Sequence, residues 1–383
     1  MAAEKCSAPI ERFSVAAEKC SAPVEHFSVA AEKCSAPVEH FSVATEKCSA
    51  PVEQRSVHAE QRSVHRSHRT RSTIRAGTGA PVTHAPTTMT YDVTGAVARI
   101  TLNRPHRGNG ITFDMPRELA ACVERANLDP RVHVIALAGN GKGFCGGYDL
   151  VAGAEQDMSG LASSGEGAWP AGSPMDPAVQ LANHMPGATW DPTIDYAMMS
   201  RNVRGFMSLF HSDKPVVCKV HGFCVAGGTD MALCSDLLVI EETAKIGYPP
   251  ARAWGVPTTA LWAHRIGVEK AKRLLFTGDC LSGKEAKEWG LATEAPAAAD
   301  LDACFEALLA RVALTPVNQL VMMKLLVNQT LYAQGLQATQ MLGVMFDGVA
   351  RHTPEGYAFQ QRAMQSGFKE AVRARDEPYD SKR

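Results

Sequence analysis

The stretch KPVVCKVHGFCVAGGTDMALCSD, residues 214–236, joins the features that decide the fold. It opens with a short apolar run rich in β-branched residues, which predicts a buried strand. A glycine cluster, AGGTD (226–230), follows, and TDMALCSD (229–236) has the pattern of a helix. A strand that ends in glycines and leads into a helix predicts an α/β unit whose turn leaves backbone N–H groups free.

A similar unit lies upstream. VHVIALAG (132–139) is a second buried strand, and NGKGFCGGYDL (140–150) is a second glycine-rich loop. Before them, VARITLNR (97–104) alternates apolar and polar residues, which predicts a half-buried strand. FDMPRELAACVERANLD (113–129) has its apolar residues at helical spacing. Further along, the pattern predicts a third buried strand at 237–242 and then helices at 258–276, 283–290, 300–313 and 316–333, with weaker helical segments to about 375. The order predicts an α/β core over 89–299 and a helical region over 300–383.

The first 88 residues are of a different kind. A unit of 14 residues, AAEKCSAPVEHFSV or a close variant, occupies 2–15, 16–29, 30–43 and 44–57. Each copy has a central proline and too few large apolar residues to offset the entropy of ordering, so we expect residues 1–88 to be disordered. Near-exact repetition is also typical of repeated DNA translated without selection, and Met89 reads as a start for the folded part. A real tail, with or without a binding role for its basic run at 65–75, is the alternative.

Composition excludes several functions. The chain has 39 Lys and Arg against 40 Asp and Glu, a net charge of -1, which argues against nucleic acid or an anionic membrane as the main partner. No apolar run reaches the roughly 18 residues of a membrane span. The N-terminus carries Glu4 and Lys5 and has no apolar h-region, so it does not resemble a secretory signal.

The cysteines indicate a reducing compartment. Outside the repeats, seven cysteines lie scattered through apolar segments, and none forms a CxxC pair. This pattern favours buried free thiols over disulfides or a metal site, and we expect a cytoplasmic protein without a metal.

Four motifs together resemble the crotonase (enoyl-CoA hydratase/isomerase) superfamily. They are, in the family's order and at roughly its spacing, LNRPHRGNGIT (102–112), GKGFCGGYDL (141–150), the opening stretch, and GDCLSGKEAKEWGL (278–291). The resemblance covers roughly 89–370. It implies a spiral core of stacked ββα turns, a C-terminal helical region that assembles trimers or hexamers, and chemistry on an acyl-CoA thioester without a cofactor.

The resemblance gives the two glycine loops a chemical role. When an acyl-CoA thioester becomes an enolate, its carbonyl oxygen gains charge, and two converging backbone N–H groups stabilise it. Backbone approaches a ligand closely only where side chains are minimal. By the family pattern, the donors are the N–H groups of Tyr148 and Gly227.

The resemblance also implies sites for the substrate. Arg104, Arg107 and Asn109 would lie near the adenine and phosphates of CoA, and the backbone of Gly146 near the adenine edge. Arginine suits phosphate, although an exposed arginine is more often solvated. In the segment IGYPPARAWGVP (246–257), we expect Tyr248 and Trp254 to be walls of the acyl pocket. His264 is expected to be an ordinary residue on a helix face.

The acid/base residues depart from the family. Hydratases of this kind hold water between two carboxylates, and the first position here is Asp230. The second position is Pro250, and no Asp or Glu lies between Glu242 and Glu269. The two-carboxylate mechanism therefore needs a group from elsewhere.

An insertion at about 153–193 is one source of such a group. The family's topology places this segment over the acyl pocket, so Asp191 or Asp195 could replace the missing carboxylate. The alternative is structural, with Asp191 as the N-cap of a helix that starts at Pro192 and Asp195 in its first turn.

The expected function is enoyl-CoA hydration or isomerisation, with Asp230 as acid/base. Two alternatives stay open at this point. One is another reaction of a CoA thioester, such as hydrolysis, decarboxylation or C–C cleavage. The other is a CoA-binding relative that has lost catalysis, motivated by Pro250. The sequence does not define the acyl group.

Overall fold

The computed structural model describes residues 85–150 and 169–380. Most of the predicted N-terminal tail, its four repeat cysteines and the first half of the insertion lie outside the described residues. The described part belongs to one compact unit of residues 79–383. The predicted helical region therefore packs with the α/β core.

A five-stranded sheet forms the centre of this unit. Its strands are β1 (Met89–Thr94), β2 (Val97–Leu102), β3 (Val134–Gly139), β4 (Val216–Val220) and β6 (Leu237–Ile240), in the order β1-β2-β3-β4-β6. The first two form an antiparallel hairpin, and the other neighbours are parallel. Parallel strands buried on both faces explain the continuous apolar runs in the sequence.

A smaller sheet stands beside the first. It contains β5 (Phe223–Val225), β7 (Lys245–Gly247) and β8 (Cys280–Ser282), with β5 and β7 parallel and β7 and β8 antiparallel. An isolated bridge between Cys145 and Cys224 joins the first glycine loop to β5. The small sheet thus fixes the position of one glycine loop against the strand that leads into the other.

Helices cover both faces of the main sheet. α1 (Met115–Leu128) and α3 (Pro192–His211) bury Leu119 and Phe206 in the principal core. On the other face, α8 (Leu301–Ala313) buries Phe305 against β3, β4 and β6. The remaining helices are α2 (Pro177–Asn183), α4 (Gly227–Ala232), α5 (Trp262–Ile266), α6 (Val268–Thr277), α7 (Gly283–Glu288), α9 (Val317–Ala333), α10 (Leu336–Arg351), α11 (Pro354–Ser366) and α12 (Phe368–Asp380).

The observed elements confirm the predicted α/β core and helical C-terminal region. One difference is the predicted helix at 258–276, which is two helices separated by Gly267 with a φ of +79°. Helical spacing alone did not reveal this break, because apolar residues continue on both sides. The second half of the insertion forms α2 and the start of α3.

The C-terminal helices leave apolar surface uncovered in this chain. The exposed side chains on α9 and α10 include Met323, Leu326, Met341 and Phe346, each about half exposed or more. Among the described residues, no single helix is long and apolar enough to span a membrane. The bent pair Ala298–Ala313 and Val317–Ala333, taken together, has sufficient length and apolarity, by length and composition only.

Contacts of the folded unit begin shortly before Met89. The backbone N–H groups and hydroxyls of Thr87 and Thr88 all donate hydrogen bonds to the Glu118 carboxylate on α1, at 2.5–2.9 Å. The carbonyl of Thr88 also accepts from the N–H of Asn103. These two threonines, which the sequence assigned to the tail, therefore tie β1 to α1.

We expect a variant that begins at residue 85 to match the full chain in melting temperature, because it keeps every contact described above. A variant that begins at Met89 loses the four hydrogen bonds to Glu118, a loss of about 1–2 kcal/mol. That corresponds to a melting temperature lower by about 2–4 °C. Equal melting temperatures for the two variants would contradict a stabilising role for Thr87 and Thr88.

Candidate active site

The two glycine loops meet at close range. Gly147 has a φ of +95°, and a Cβ there would lie 2.6 Å from Ala226 Cβ. A Cβ on Gly228 would lie 2.5 Å from the carbonyl oxygen of Cys145. Neither position can carry a larger side chain without displacing the other loop. Ala226 itself has a φ of +55°, a conformation that is costly for a residue other than glycine and that is typical of functional sites.

This approach places two donors in one cavity. Tyr148 and Gly227 both line it, and neither N–H donates a backbone hydrogen bond within the described part of the chain. Gly227 is the first residue of α4, where N–H groups have no intrahelical partner. The arrangement fits the predicted pair of donors for a thioester oxygen.

The cavity is large and mainly apolar. Its volume is about 410 Å³, and the walls include Met198, Tyr248 and Trp254. The C-terminal helices α11 and α12 add Phe359 and Phe368. The cavity is therefore closed on one side by helices that the sequence assigned to oligomerisation.

Asp230 lies in the first turn of α4, which begins at Gly227, and is 1% exposed. Its Oδ1 accepts hydrogen bonds from the N–H and the hydroxyl of Thr259, at 2.9 and 2.8 Å. Its Oδ2 has no hydrogen-bond partner among the described residues. Burial raises the pKa of this carboxyl to about 7, so it can hold or release a proton near neutrality. Asp230 is not itself part of the cavity lining.

The segment after β7 supplies apolar walls where the family pattern expects a carboxylate. Pro250 lines the cavity beside Tyr248 and Trp254, as predicted for those two aromatic residues. The Tyr248 hydroxyl donates to the carbonyl of Val256 at 2.7 Å, which fixes the ring as a wall. His264 lies outside the cavity, on α5, where its Nδ1 is 3.2 Å from Gln334 Oε1.

A carboxylate that the sequence reasoning missed does line the cavity. Asp347 on α10 is 13% exposed, and its Oδ2 is 3.2 Å from Nε of Arg351. Burial raises the pKa of this carboxyl, and Arg351 partly opposes the shift. Asp347 is the single charged residue in MLGVMFDGVA (341–350). An acidic residue in such an apolar stretch is a sequence signal for a functional site.

The two insertion carboxylates have structural positions. Asp191 is the N-cap of α3 and accepts from the N–H of Thr193 at 2.8 Å, at an exposed site. Asp195 is buried and pairs with Arg351 Nη2 at 2.9 Å. Neither residue lines the cavity, because α3 turns its first residues toward α2 and the end of α10. The structure thus agrees with the capping alternative.

The residues predicted near CoA organise the loop at the cavity edge. Asn109 is fully buried, and its Nδ2 donates to three carbonyls of the first glycine loop, while its Oδ1 accepts from the Arg104 N–H. Arg104 and Arg107 both pair with Asp149, at 2.9 and 3.5 Å. Of the four predicted residues, Gly146 alone lines the cavity. Asn109 has no free polar atom for CoA, since all of its amide groups are engaged.

No cluster of three or more His, Cys, Asp or Glu side chains in the described residues could hold a metal ion. The seven described cysteines are free and five are buried, as predicted. Burial raises the pKa of Cys145, within the first glycine loop, to about 12, so its thiol is not a nucleophile at neutral pH.

The pKa of Asp230 predicts a pH-dependent stability. The native state holds the proton to about pH 7, whereas the unfolded chain releases it near pH 4. The free energy of unfolding therefore falls as pH rises through this window. Asp230→Asn cannot ionise, so we expect it to be more stable than wild type at pH 8, by up to about 4 kcal/mol, with a smaller difference at pH 5. Urea unfolding at both pH values measures this; a difference that does not change with pH would contradict the shift.

Comparisons with known proteins agree with this geometry. The family model for enoyl-CoA hydratase/isomerase matches residues 92–169 and 189–364. The chain is 56% identical in sequence to an enoyl-CoA hydratase from Mycobacterium smegmatis, and it matches the crystal structure of that protein with a TM-score of 0.70. The match covers 76% of this chain and 94% of that one.

Curated relatives are more distant. A Mycobacterium tuberculosis protein named as an enoyl-CoA hydratase, EchA13, is 29% identical over 64% of this chain and 74% of its own length. The Escherichia coli 1,2-epoxyphenylacetyl-CoA isomerase is 27% identical over 51% of this chain and 64% of its own length. The matched family model covers more than half of the chain and contains both glycine loops. The chain therefore belongs to the enoyl-CoA hydratase/isomerase family and has the crotonase fold that its four motifs resembled.

Proposed function

We propose that this protein is an enzyme that hydrates or isomerises an enoyl-CoA thioester through an enolate-like intermediate. The observation that carries the proposal is the pair of Tyr148 and Gly227 N–H groups at one cavity, with Asp230 buried in the same first turn of α4 as Gly227. Each donor is worth about 3 kcal/mol to a developing oxyanion, by analogy with the removal of one such donor from other enzymes.

Asp230 is the proposed proton carrier. Its pKa of about 7 allows it to be a proton donor and a base near neutral pH, and its unpartnered Oδ2 can take part in the transfer. Thr259 holds the other oxygen and so fixes the carboxyl plane. The reaction needs no metal or organic cofactor, since the thioester itself stabilises the enolate.

The cavity indicates an apolar acyl group larger than the crotonyl group. Its volume of about 410 Å³ and its walls of Met198, Trp254, Phe359 and Phe368 favour burial of a long or ring-containing chain. We therefore expect turnover to rise from crotonyl-CoA to longer enoyl-CoA thioesters. For the CoA moiety, Arg107, which pairs with Asp149 of the cavity wall, is the proposed phosphate contact.

The seven free thiols of the described residues support a reducing compartment, and we propose that the protein acts in the cytoplasm.

Isomerisation alone is the second candidate. The observation that favours it is Pro250, because a one-base proton shuttle needs no second carboxylate at that position. Hydrolysis and C–C cleavage have no such specific support.

Turnover assays test the assignment of Asp230. We expect Asp230→Asn to reduce turnover of enoyl-CoA thioesters by about 10²-fold or more, because it removes the proton carrier. Loss of the conjugated thioester absorbance measures hydration. Asp191→Asn is the matched control, since asparagine also caps a helix and Asp191 lies outside the cavity. Equal activity of Asp230→Asn and wild type would contradict the assignment.

We further propose that the exposed apolar faces of α9 and α10 join chains into a trimer or hexamer. Leu326→Glu places a charge on this surface, where Leu326 is 73% exposed, and is expected to lower the molar mass in light scattering to that of a monomer. Leu128→Glu is the control, because Leu128 is 75% exposed on α1, away from these helices. A monomeric wild type would overturn this proposal.

A further inference from the structure

Asp347 is brought to the cavity by its own helix and held there by an ion-pair chain. Its Oδ2 is 3.2 Å from Arg351 Nε, one helical turn along α10. Arg351 Nη2 is 2.9 Å from Oδ1 of the buried Asp195, and Oδ2 of Asp195 accepts from Trp190 Nε1 at 2.7 Å. The start of α3 thereby fixes the orientation of a carboxylate on α10.

The backbone supports this close approach of α3 and α10. A Cβ on Gly348, next to Asp347, would lie 3.0 Å from Asp195 Cβ, a contact with little room for a side chain. The residue after Asp347 thus allows α10 to reach the ion pair. Two elements from distant parts of the chain cooperate to present one carboxylate to the cavity.

The charges of Asp347 and Asp230 both raise the pKa values of two tyrosines at the cavity. Burial raises the pKa values of the Tyr148 and Tyr248 hydroxyls, and the charges of Asp230 and Asp347 both add to these shifts. Asp347 lines the same cavity as both tyrosines, whereas Asp230 is buried in the same turn of α4 as the Gly227 donor.

We propose that Asp347 is the second acid/base carboxylate of this enzyme and replaces the group that is absent at Pro250. This inference rests on the proposed function, since it assigns a further catalytic residue to the same site. It differs from the sequence-based expectation, in which the insertion residues Asp191 or Asp195 supplied the carboxylate. In this account Asp195 is a positioning residue that acts through Arg351.

The proposed step adds one water across the double bond of the enoyl group. The Asp347 carboxylate accepts a proton from water, and the water oxygen forms a bond to the β-carbon. The π electrons of the double bond move to the thioester carbonyl, whose oxygen is held by the Tyr148 and Gly227 N–H groups. Asp230 then delivers its proton to the α-carbon. Asp347 afterwards releases its proton to solvent, and Asp230 takes up a proton from solvent. One water is added, and both carboxyl groups regain their starting states.

The test uses two reactions of the full chain. Hydration of crotonyl-CoA and longer enoyl-CoA thioesters needs both carboxylates. Exchange of the α-protons of a saturated acyl-CoA, such as butyryl-CoA in deuterium oxide, needs only the oxyanion donors and Asp230. For Asp347→Asn we expect hydration to fall by about 10²-fold or more, while α-proton exchange stays within a few-fold of wild type.

Matched variants define the outcomes. Asp230→Asn should lose both reactions, Asp191→Asn should keep both, and Asp347→Glu should recover part of the hydration that Asp347→Asn loses. Retained hydration in Asp347→Asn overturns this inference and leaves the proposed function intact. Loss of both reactions in Asp347→Asn also overturns it, since the residue would then be needed for the fold or for the enolate. A wild type that performs neither reaction overturns the proposed function and this inference together.

Discussion

The site depends on the contact between two glycine loops. Gly147 and Gly228 let backbone from separate strands approach to distances that no larger residue permits, and this approach places the N–H groups of Tyr148 and Gly227 at one cavity. The two sheets supply the framework: β3 leads to the first loop, and β5 leads to the second. Asn109 secures the first loop with hydrogen bonds to three of its carbonyls.

Burial then gives the neighbouring groups their chemistry. The first turn of α4 places Asp230 in a nearly dry environment, which raises its pKa to about 7. The C-terminal helices add the rest of the cavity, including apolar walls and the Asp347–Arg351 pair. The C-terminal helical region therefore contributes directly to the proposed active site.

The sequence predicted the parts of this arrangement that depend on local pattern. Strand and helix order, the glycine loops and the capping alternative for Asp191 follow from neighbouring residues. The walls formed by Tyr248 and Trp254 followed from the resemblance to the family. Asp347 did not, because its role depends on how α10 returns to the core more than a hundred residues after Asp230. The buried roles of Arg104 and Asn109 were missed for a related reason: their partners, Asp149 and the carbonyls after Gly139, lie in another loop.

The central claim is that the Tyr148 and Gly227 N–H groups bind a thioester oxygen. A crystal structure of the protein with a saturated acyl-CoA bound measures this directly. The account predicts a thioester oxygen about 2.7–3.1 Å from both backbone nitrogens, with the acyl chain between Trp254 and Phe359. A bound acyl-CoA whose carbonyl oxygen lies away from both nitrogens would contradict it.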